Sequence, residues 1–156
     1  MTRADPDAAT LDAVRALARA SRILERATGE LSLAHYRVLA AVASGEERAS
    51  RLAGRLALGR PAISAAVDSL AQRGLLERVE VVGDLRATAL TLSVEGRRVL
   101  DQAEAEMVQR IQDLADRTPE PDRVTEALSW LGPAIDAMHD ERRATQALTA
   151  KGSTPT

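Results

Sequence analysis

The sequence predicts a mainly α-helical fold with one small β-hairpin, and three observations support this. In most of the chain, apolar residues recur every three or four positions, which is the period of an amphipathic helix. Between residues 75 and 92, a Val-rich run, a Gly83-Asp84 pair and a second extended run are typical of a hairpin. The chain has one Trp, one Tyr and no Phe, so small aliphatic residues must fill the core, which suits layers of packed helices.

Four helices are predicted in the first half of the chain. The first ends near Gly29, and Ser32 and Ser50 are predicted to cap the N-termini of the second and third. Pro61 occupies the first turn of the fourth helix, where its missing N–H costs nothing. Gly74 follows that helix at the position of a left-handed C-cap. The predicted bounds are 8–28, 33–44, 51–56 and 60–73.

Two longer helices are predicted after the hairpin. Ser93 caps the fifth helix, which carries one apolar stripe with a spacing of seven residues. The sixth helix starts after a Pro-rich turn at 118–121, and Pro133 is predicted to kink it near Ser129 or Trp130. The stripe of the fifth helix consists of Leu100, Ala103, Met107, Ile111 and Leu114.

The order of these elements predicts the domain organisation. A helix-turn-helix followed by a two-stranded hairpin is a winged helix-turn-helix, and most such domains bind duplex DNA, so 31–92 is predicted to be a DNA-binding domain. The apolar stripes of the terminal helices need a partner, which makes 8–30 and 93–147 a predicted dimerisation region. Residues 1–7 and 148–156 lack apolar periodicity and are predicted to be disordered.

Composition excludes several classes of protein. The chain has 156 residues, which is one domain's worth, and its 45% apolar content suffices for an ordinary core. Because it has no Cys, disulfides, thiolate metal sites and cysteine redox sensing are ruled out. No apolar run of membrane-spanning length and no hydrophobic leader occur, so we expect a soluble, cytoplasmic protein.

Nothing in the sequence indicates catalysis or a bound metal or cofactor. His35 and His139, the chain's two histidines, lie about a hundred residues apart, and no acid–His spacing resembles a metal site. There is no phosphate-binding loop and no paired nucleophile and base. We therefore expect no enzyme activity, no metal and no cofactor.

The net charge of −2 is divided unevenly along the chain. Residues 46–98 carry nine Arg against seven acidic residues, a net of +2, whereas residues 99–156 carry six basic and eleven acidic residues, a net of −5. The part with the hairpin is thus the basic part, as a DNA-binding domain requires. The excess is small, so contacts between Arg and phosphate must be well placed rather than numerous.

The spacing of these motifs resembles that of the MarR transcriptional regulators. That family ends its recognition helix in Leu-x-x-x-Gly-Leu-[Val/Leu]-x-Arg, places Asp-x-Arg at the wing tip and continues to Leu-[Thr/Ser]-x-x-Gly. A second motif, Leu-Thr-x-x-Gln-[Tyr/Phe]-x-Val-Leu, resembles 31–39, with His35 in the usual Gln position. The resemblance extends from Leu11 to Met138. The matching residues of the first pattern are Leu70, Gly74, Leu75, Leu76, Arg78, Asp84, Arg86, Leu92, Ser93 and Gly96.

This resemblance implies a homodimer in which the terminal helices of two subunits interleave. Two recognition helices would then enter successive major grooves, roughly 34 Å apart, so the operator is expected to be an inverted repeat. The resemblance also implies that Arg86 enters the minor groove of A·T-rich DNA and that Asp84 holds it in place. A surface ion pair at the hairpin tip is the alternative for these two residues.

The recognition helix supplies the candidates for contacts with base edges. Ser64 occupies the family's Thr/Ser position, whereas Ala65 departs from the Arg of many relatives, a loss for which Arg60 could compensate. Arg73 and Arg78 are predicted phosphate contacts, with solvated charges at element ends as the alternative. The predicted base-reading candidates are Arg60, Ala62, Ser64, Ala65 and Asp68. The predicted DNA-binding residues are Arg60, Ser64, Arg73, Arg78, Asp84 and Arg86.

An effector site is also implied by the resemblance, between the dimer helices and the winged helix. Arg15, Arg19, His35 and Tyr36 are predicted there if the first two helices pack as expected, and they would suit a small anionic or phenolic ligand. Ordinary core packing of His35 and Tyr36 is the alternative.

Two functions follow as hypotheses. The first is a MarR-type repressor that releases its operator when a small molecule binds. The second is a winged-helix protein-interaction module without DNA binding, which Ala65 and the apolar wing residues Val79, Val81 and Val82 support. A flat salt response and no binding to duplex DNA would favour the second.

Overall fold

The computed structural model describes residues 8–45, 48–56, 58–81 and 84–152, with the backbone alone at 49–50, 81, 84–88, 143 and 146–152. Six helices and one two-stranded antiparallel hairpin make up this part of the chain, which confirms the predicted fold class. The elements are α1 (Ala8–Ala27), α2 (Leu33–Ala43), α3 (Ala49–Arg55), α4 (Arg60–Gln72), β1 (Leu76–Val81), β2 (Asp84–Leu92), α5 (Val94–Ala115) and α6 (Pro121–Gly152).

Helix ends follow the predicted capping residues at most positions. The Ser32 hydroxyl accepts from the backbone N–H of His35 at 3.1 Å, which satisfies a donor that the first turn of α2 leaves free. Gly74 has a φ of +69°, the left-handed conformation that ends α4 and that a residue with Cβ adopts only at a cost. The first and fourth helices and the cap at Ser93 are thus confirmed.

Two helix boundaries differ from the sequence prediction. α3 begins at Ala49 with Arg48 at its N-cap, so Ser50 lies inside the helix and does not cap it. The reason is that α3 starts directly from an extended residue and has no side-chain cap. α6 continues to Gly152, five residues past the predicted limit of 147, because nothing after Pro133 interrupts helical hydrogen bonding.

Part of the hairpin tip lies outside the described residues. Gly83, the first residue of the predicted turn, lies outside the described residues, and Asp84 already belongs to β2. Leu76 faces Leu92 at the open end of the ladder, and the register shifts after Glu80. α6 runs as one continuous helix through Pro133, and the kink predicted near that residue stays a prediction.

The core lies within the winged helix and reaches α5. Leu39 of α2, Leu52 of α3, Ile63 and Leu70 of α4 and Leu100 of α5 are all at most 1% exposed. Each buries a whole aliphatic side chain, worth about 1.5–3 kcal/mol relative to leaving it in water. The first residues of the predicted α5 stripe are therefore anchored in the core of the winged helix itself.

A close backbone contact joins α5 to the end of α4. The Ser93 hydroxyl donates to the carbonyl oxygen of Gly74 at 2.6 Å, and the Ser93 backbone N–H donates to the carbonyl oxygen of Leu75 at 3.2 Å. The same hydroxyl accepts from the backbone N–H of Gly96 at 2.8 Å. A Cβ at Gly96 would lie 1.9 Å from the Leu75 carbonyl oxygen, so only glycine fits there. We call Gly74, Leu75, Ser93 and Gly96 the α4–α5 joint.

The terminal helices expose apolar side chains. Val14 and Leu17 of α1 are about half exposed, as are Ile135 and Met138 of α6, and Trp130 is 64% exposed. No helix in the described ranges is long and apolar enough to span a membrane. An apolar surface of this extent on a globular protein marks a place where another surface binds.

Gly96→Ala should destabilise the protein by about 1–3 kcal/mol, the usual range for overpacking, because the new methyl group meets a backbone carbonyl that cannot rotate away. Urea unfolding followed by circular dichroism measures this. Val94→Ala is the control, since Val94 lies in the same helical turn and is 92% exposed. Equal stability of Gly96→Ala and the parent would show that the joint is looser than described.

Candidate nucleic-acid interface

α4 has one buried and one exposed face. Ile63, Ala66, Val67 and Leu70 point into the core at the helical spacing of three and four residues. The opposite face turns Ser64, Ala65 and Asp68 to solvent, and Arg60 and Arg73 are exposed at its two ends. A helix with a polar outward face, held on a helix-turn-helix, is the element that enters a DNA major groove.

Short side chains dominate the exposed face of α4. Ala62 and Ala65 carry only a methyl group, and Ser64 a hydroxyl that can donate and accept. Small side chains let a helix approach the base edges closely, and a methyl group can contact the C5-methyl of thymine. The predicted base-reading residues are thus all exposed, and their contacts with bases stay a prediction.

Arg78 is held by a partner that the sequence analysis did not assign to it. Its Nη2 lies 2.5 Å from Oδ1 of Asp68, so an ion pair joins β1 to the exposed face of α4. Both side chains remain about half exposed. The signal for this pair in the sequence was weak, because ten residues and a turn separate the two.

The wing extends this surface beyond α4. Asp84 and Arg86 lie in β2, but their side chains are outside the described part, and their DNA-binding roles stay a prediction. Val79 of β1 is 47% exposed, which makes the outer face of this hairpin partly apolar.

His35 is partly buried in α2 and lies within range of the charge of Arg73. Partial burial is the main cause that lowers its pKa, and the positive charge of Arg73 lowers it further. Arg73 is the C-cap of α4, so His35 of α2 faces the C-terminal end of the candidate reading helix.

Tyr36 of α2 interacts electrostatically with Glu104 of α5. Burial raises the pKa of its phenol, and the Glu104 carboxylate raises it further through its charge and through a hydrogen bond from the hydroxyl. Since Tyr36 belongs to α2 and Glu104 to α5, this electrostatic interaction acts between the winged helix and a terminal helix.

The four predicted effector residues stay a prediction, and the structure describes the surroundings of two of them. Arg19 lines an apolar cavity of about 660 Å³ between α1, α5 and α6, whose walls include neither Arg15 nor His35 nor Tyr36. Arg15 pairs with Asp12 on the exposed surface of α1 at 3.4 Å. Periodicity in the sequence defines the apolar face of a helix but not the neighbour that this face meets.

Together, these elements define a winged helix-turn-helix, with α3 and α4 as the two helices of the motif and β1–β2 as the wing. Among the described residues, no group of three or more potential metal ligands occurs.

Comparison with known proteins agrees with this class. Residues 30–87 match the model of the MarR family. No curated protein sequence matches the chain. The PcaV transcriptional regulator from Streptomyces coelicolor, solved with its natural ligand, has a TM-score of 0.64 at 24% identity, over 88% of this chain and 99% of that chain.

Two further solved structures share the fold. A mutant MarR from E. coli has a TM-score of 0.68 at 19% identity, over 86% of this chain and 99% of that chain. The regulator MOSR from M. tuberculosis, solved in complex with DNA, has a TM-score of 0.58 at 21% identity, over 85% and 98%. The family model thus covers most of the winged helix of this chain, and the solved structures share its overall fold.

The pKa of His35 should lie below 6.5, and NMR titration of its imidazole measures this. Arg73→Gln should raise this pKa only part of the way back to 6.5, because burial is the larger cause. A pKa below that of the unfolded chain means that the unfolded state takes up the proton first, so stability should fall as the pH drops below about 6.5. A pKa above 6.5 in the folded protein would contradict the placement of His35 beside Arg73.

Proposed function

We propose that this protein is a homodimeric repressor that occupies an inverted-repeat operator and releases it when a small molecule binds. The observation that carries the proposal is the outward face of α4, which combines small and polar side chains with an Arg at each end and lies beside a wing. This is the arrangement with which a winged helix reads a major groove and contacts the flanking backbone.

The exposed apolar side chains of α1 and α6 support the homodimer. Both helices lie near the ends of the chain and outside the winged helix, so a second copy can cover them without blocking α4. Two-fold symmetry would then present two reading helices to the same side of the duplex. Half-sites roughly 34 Å apart would fit, which corresponds to one turn of DNA.

The effector part of the proposal rests on the cavity beside α1 and on the electrostatic interaction of Glu104 with Tyr36. The cavity beside Arg19 has an apolar wall and a guanidinium, which suit a small organic anion with an apolar body. A ligand acts on DNA binding only through different affinities for two dimer shapes. A phenol or an acid bound near Tyr36 and Glu104 would change the electrostatic interaction between α2 and α5.

DNA as the partner agrees with a solved relative, since MOSR is seen in complex with DNA. A second candidate function is a winged-helix protein-interaction module, which the exposed Val79 on the wing favours. The two are distinguished by duplex binding at low ionic strength, because a DNA-binding protein releases counterions and its affinity falls with salt.

Ile135→Asp should convert the dimer to a monomer, because it places a charge in the apolar face of α6 that we propose to be buried between subunits. Sedimentation velocity at micromolar concentration measures the change in mass. Asp136→Asn is the control at the next position of the same helix and should remain a dimer. A parent protein that sediments as a monomer would contradict the proposed assembly.

Arg86→Ala and Arg73→Ala should weaken DNA binding in different ways. Loss of a minor-groove contact at Arg86 should cost about 1–3 kcal/mol on a duplex selected from a random library and reduce the preference for A·T flanks. Loss of a phosphate contact at Arg73 should weaken all sequences alike and lower the slope against salt by roughly one. Fluorescence anisotropy over a range of salt concentrations measures both effects.

Binding of the parent protein to duplex DNA at low salt tests the proposed DNA binding itself. If it binds no duplex at low salt, the proposed DNA binding is wrong. If Arg86→Ala binds the selected duplex as tightly as the parent, the role of the wing is wrong while the repressor proposal stands.

A further inference from the structure

Asp68 is an unexpected residue on a surface that faces DNA. It lies on the exposed face of α4, one helical turn after Ser64 and Ala65 and in the same stripe. An isolated carboxylate there would be repelled by the phosphates on both sides of the groove. A nearby positive charge is needed to offset this repulsion, and the carboxylate oxygen atoms need hydrogen-bond donors.

Arg78 supplies that charge from the neighbouring strand. Arg78 faces Leu90 across the hairpin, and Leu90 is buried, so this face of β1 turns towards the helices. The guanidinium reaches Oδ1 of Asp68 at 2.5 Å. This contact leaves Oδ2 of the same carboxylate for another donor.

The pair contributes little to folding. Both side chains are about half exposed, at 53% and 56%, and ion pairs in that environment add little to the free energy of unfolding. Its effect lies in the direction of the carboxylate, which the bond to Arg78 fixes relative to both the wing and α4.

Base chemistry then selects what Oδ2 can bind. A carboxylate only accepts hydrogen bonds, so it rejects the acceptor edge of guanine and the O4 of thymine. The exocyclic amino group of cytosine is the donor to which Asp and Glu bind in the major groove. The residues one turn earlier, Ser64 and Ala65, are short and leave Asp68 as a longer acceptor in this stripe.

We propose that Asp68 is a specificity-determining residue that accepts a hydrogen bond from a cytosine amino group, and that Arg78 is the positioning residue that holds it and cancels its charge. The proposal rests on the proposed DNA binding. In this proposal Arg78 of β1 does not simply contact a phosphate. It acts together with Asp68 of α4 in reading a base.

The test is selection of binding sites from a random duplex library with full-length parent protein, followed by measurement of single-base variants of the selected site. The parent should prefer cytosine at one position of each half-site. Asp68→Ala should lower that preference by about tenfold or more while preferences at other positions remain. Arg78→Ala should relax the same position and also weaken binding to every sequence, because the carboxylate is then unpaired.

The double variant separates positioning from a phosphate contact. If Arg78 acts through Asp68, removing both side chains should restore part of the affinity that Arg78→Ala loses, whereas two independent contacts would give additive losses. Glu77→Ala is the charge-matched control: it removes one carboxylate from the adjacent residue of β1, which points to the opposite face of the strand, and should leave base preferences unchanged.

Three results would overturn the proposal. The first is an Asp68→Ala profile equal to that of the parent at every position. The second is additive losses in the double variant. The third is a parent protein that binds no duplex at all, which would overturn the proposed function as well; the first two leave DNA binding in place.

Discussion

The close approach of α5 to the carbonyl groups at the end of α4 is the constraint on which the rest of the structure depends. At this joint, Ser93 bonds to Gly74 and Leu75, and Gly96 leaves no room for a side chain. The residues that follow the candidate reading helix are therefore in direct contact with the residues that start α5, the long helix that leads away from the winged helix. A change in the direction of α5 must move the end of α4, because no flexible segment lies between their contacting atoms.

This joint gives a physical reason for two motifs that are separate in the sequence. A left-handed glycine turns the chain from α4 into the wing, and the Leu-Ser-x-x-Gly segment returns it against the same turn. The wing is thereby held at both of its ends. Arg78, near the base of β1, then reaches Asp68 on α4, so the hairpin and the helix present one continuous surface.

The terminal helices connect to this unit in two places. Leu100 of α5 is buried in the core of the winged helix, and Glu104, one turn further along α5, raises the pKa of Tyr36 of α2. In the proposed dimer, the first half of α5 thus moves with the reading head while α1 and α6 meet the partner. A ligand that moved α5 in this region would also move α4, because the start of α5 is hydrogen-bonded to the residues that follow α4.

The fold could be predicted from the sequence more completely than the site. Three local signals in the sequence are the helix-ending Gly74, the cap at Ser93 and the apolar stripe through Leu100. The helices and the hairpin lie where these signals predict them. Ser50 misled because a capping residue type says nothing about which extended residue precedes the helix.

Contacts between distant elements could not be predicted. The pairs Arg78–Asp68, Tyr36–Glu104 and His35–Arg73 each join different elements, and periodicity specifies a face without naming what that face meets. For the same reason, the predicted cluster of effector residues stays a prediction, although each member lies on the helix expected for it.

Amide hydrogen exchange at Ser93 tests the role of the joint most directly. The Ser93 N–H donates to the carbonyl oxygen of Leu75, so in the full-length protein it should exchange as slowly as the buried amides of α4 and α5, which open only with global unfolding. Exchange at Ser93 at the rate of an exposed amide, while those helices remain protected, would show that α4 and α5 separate independently and would contradict this account.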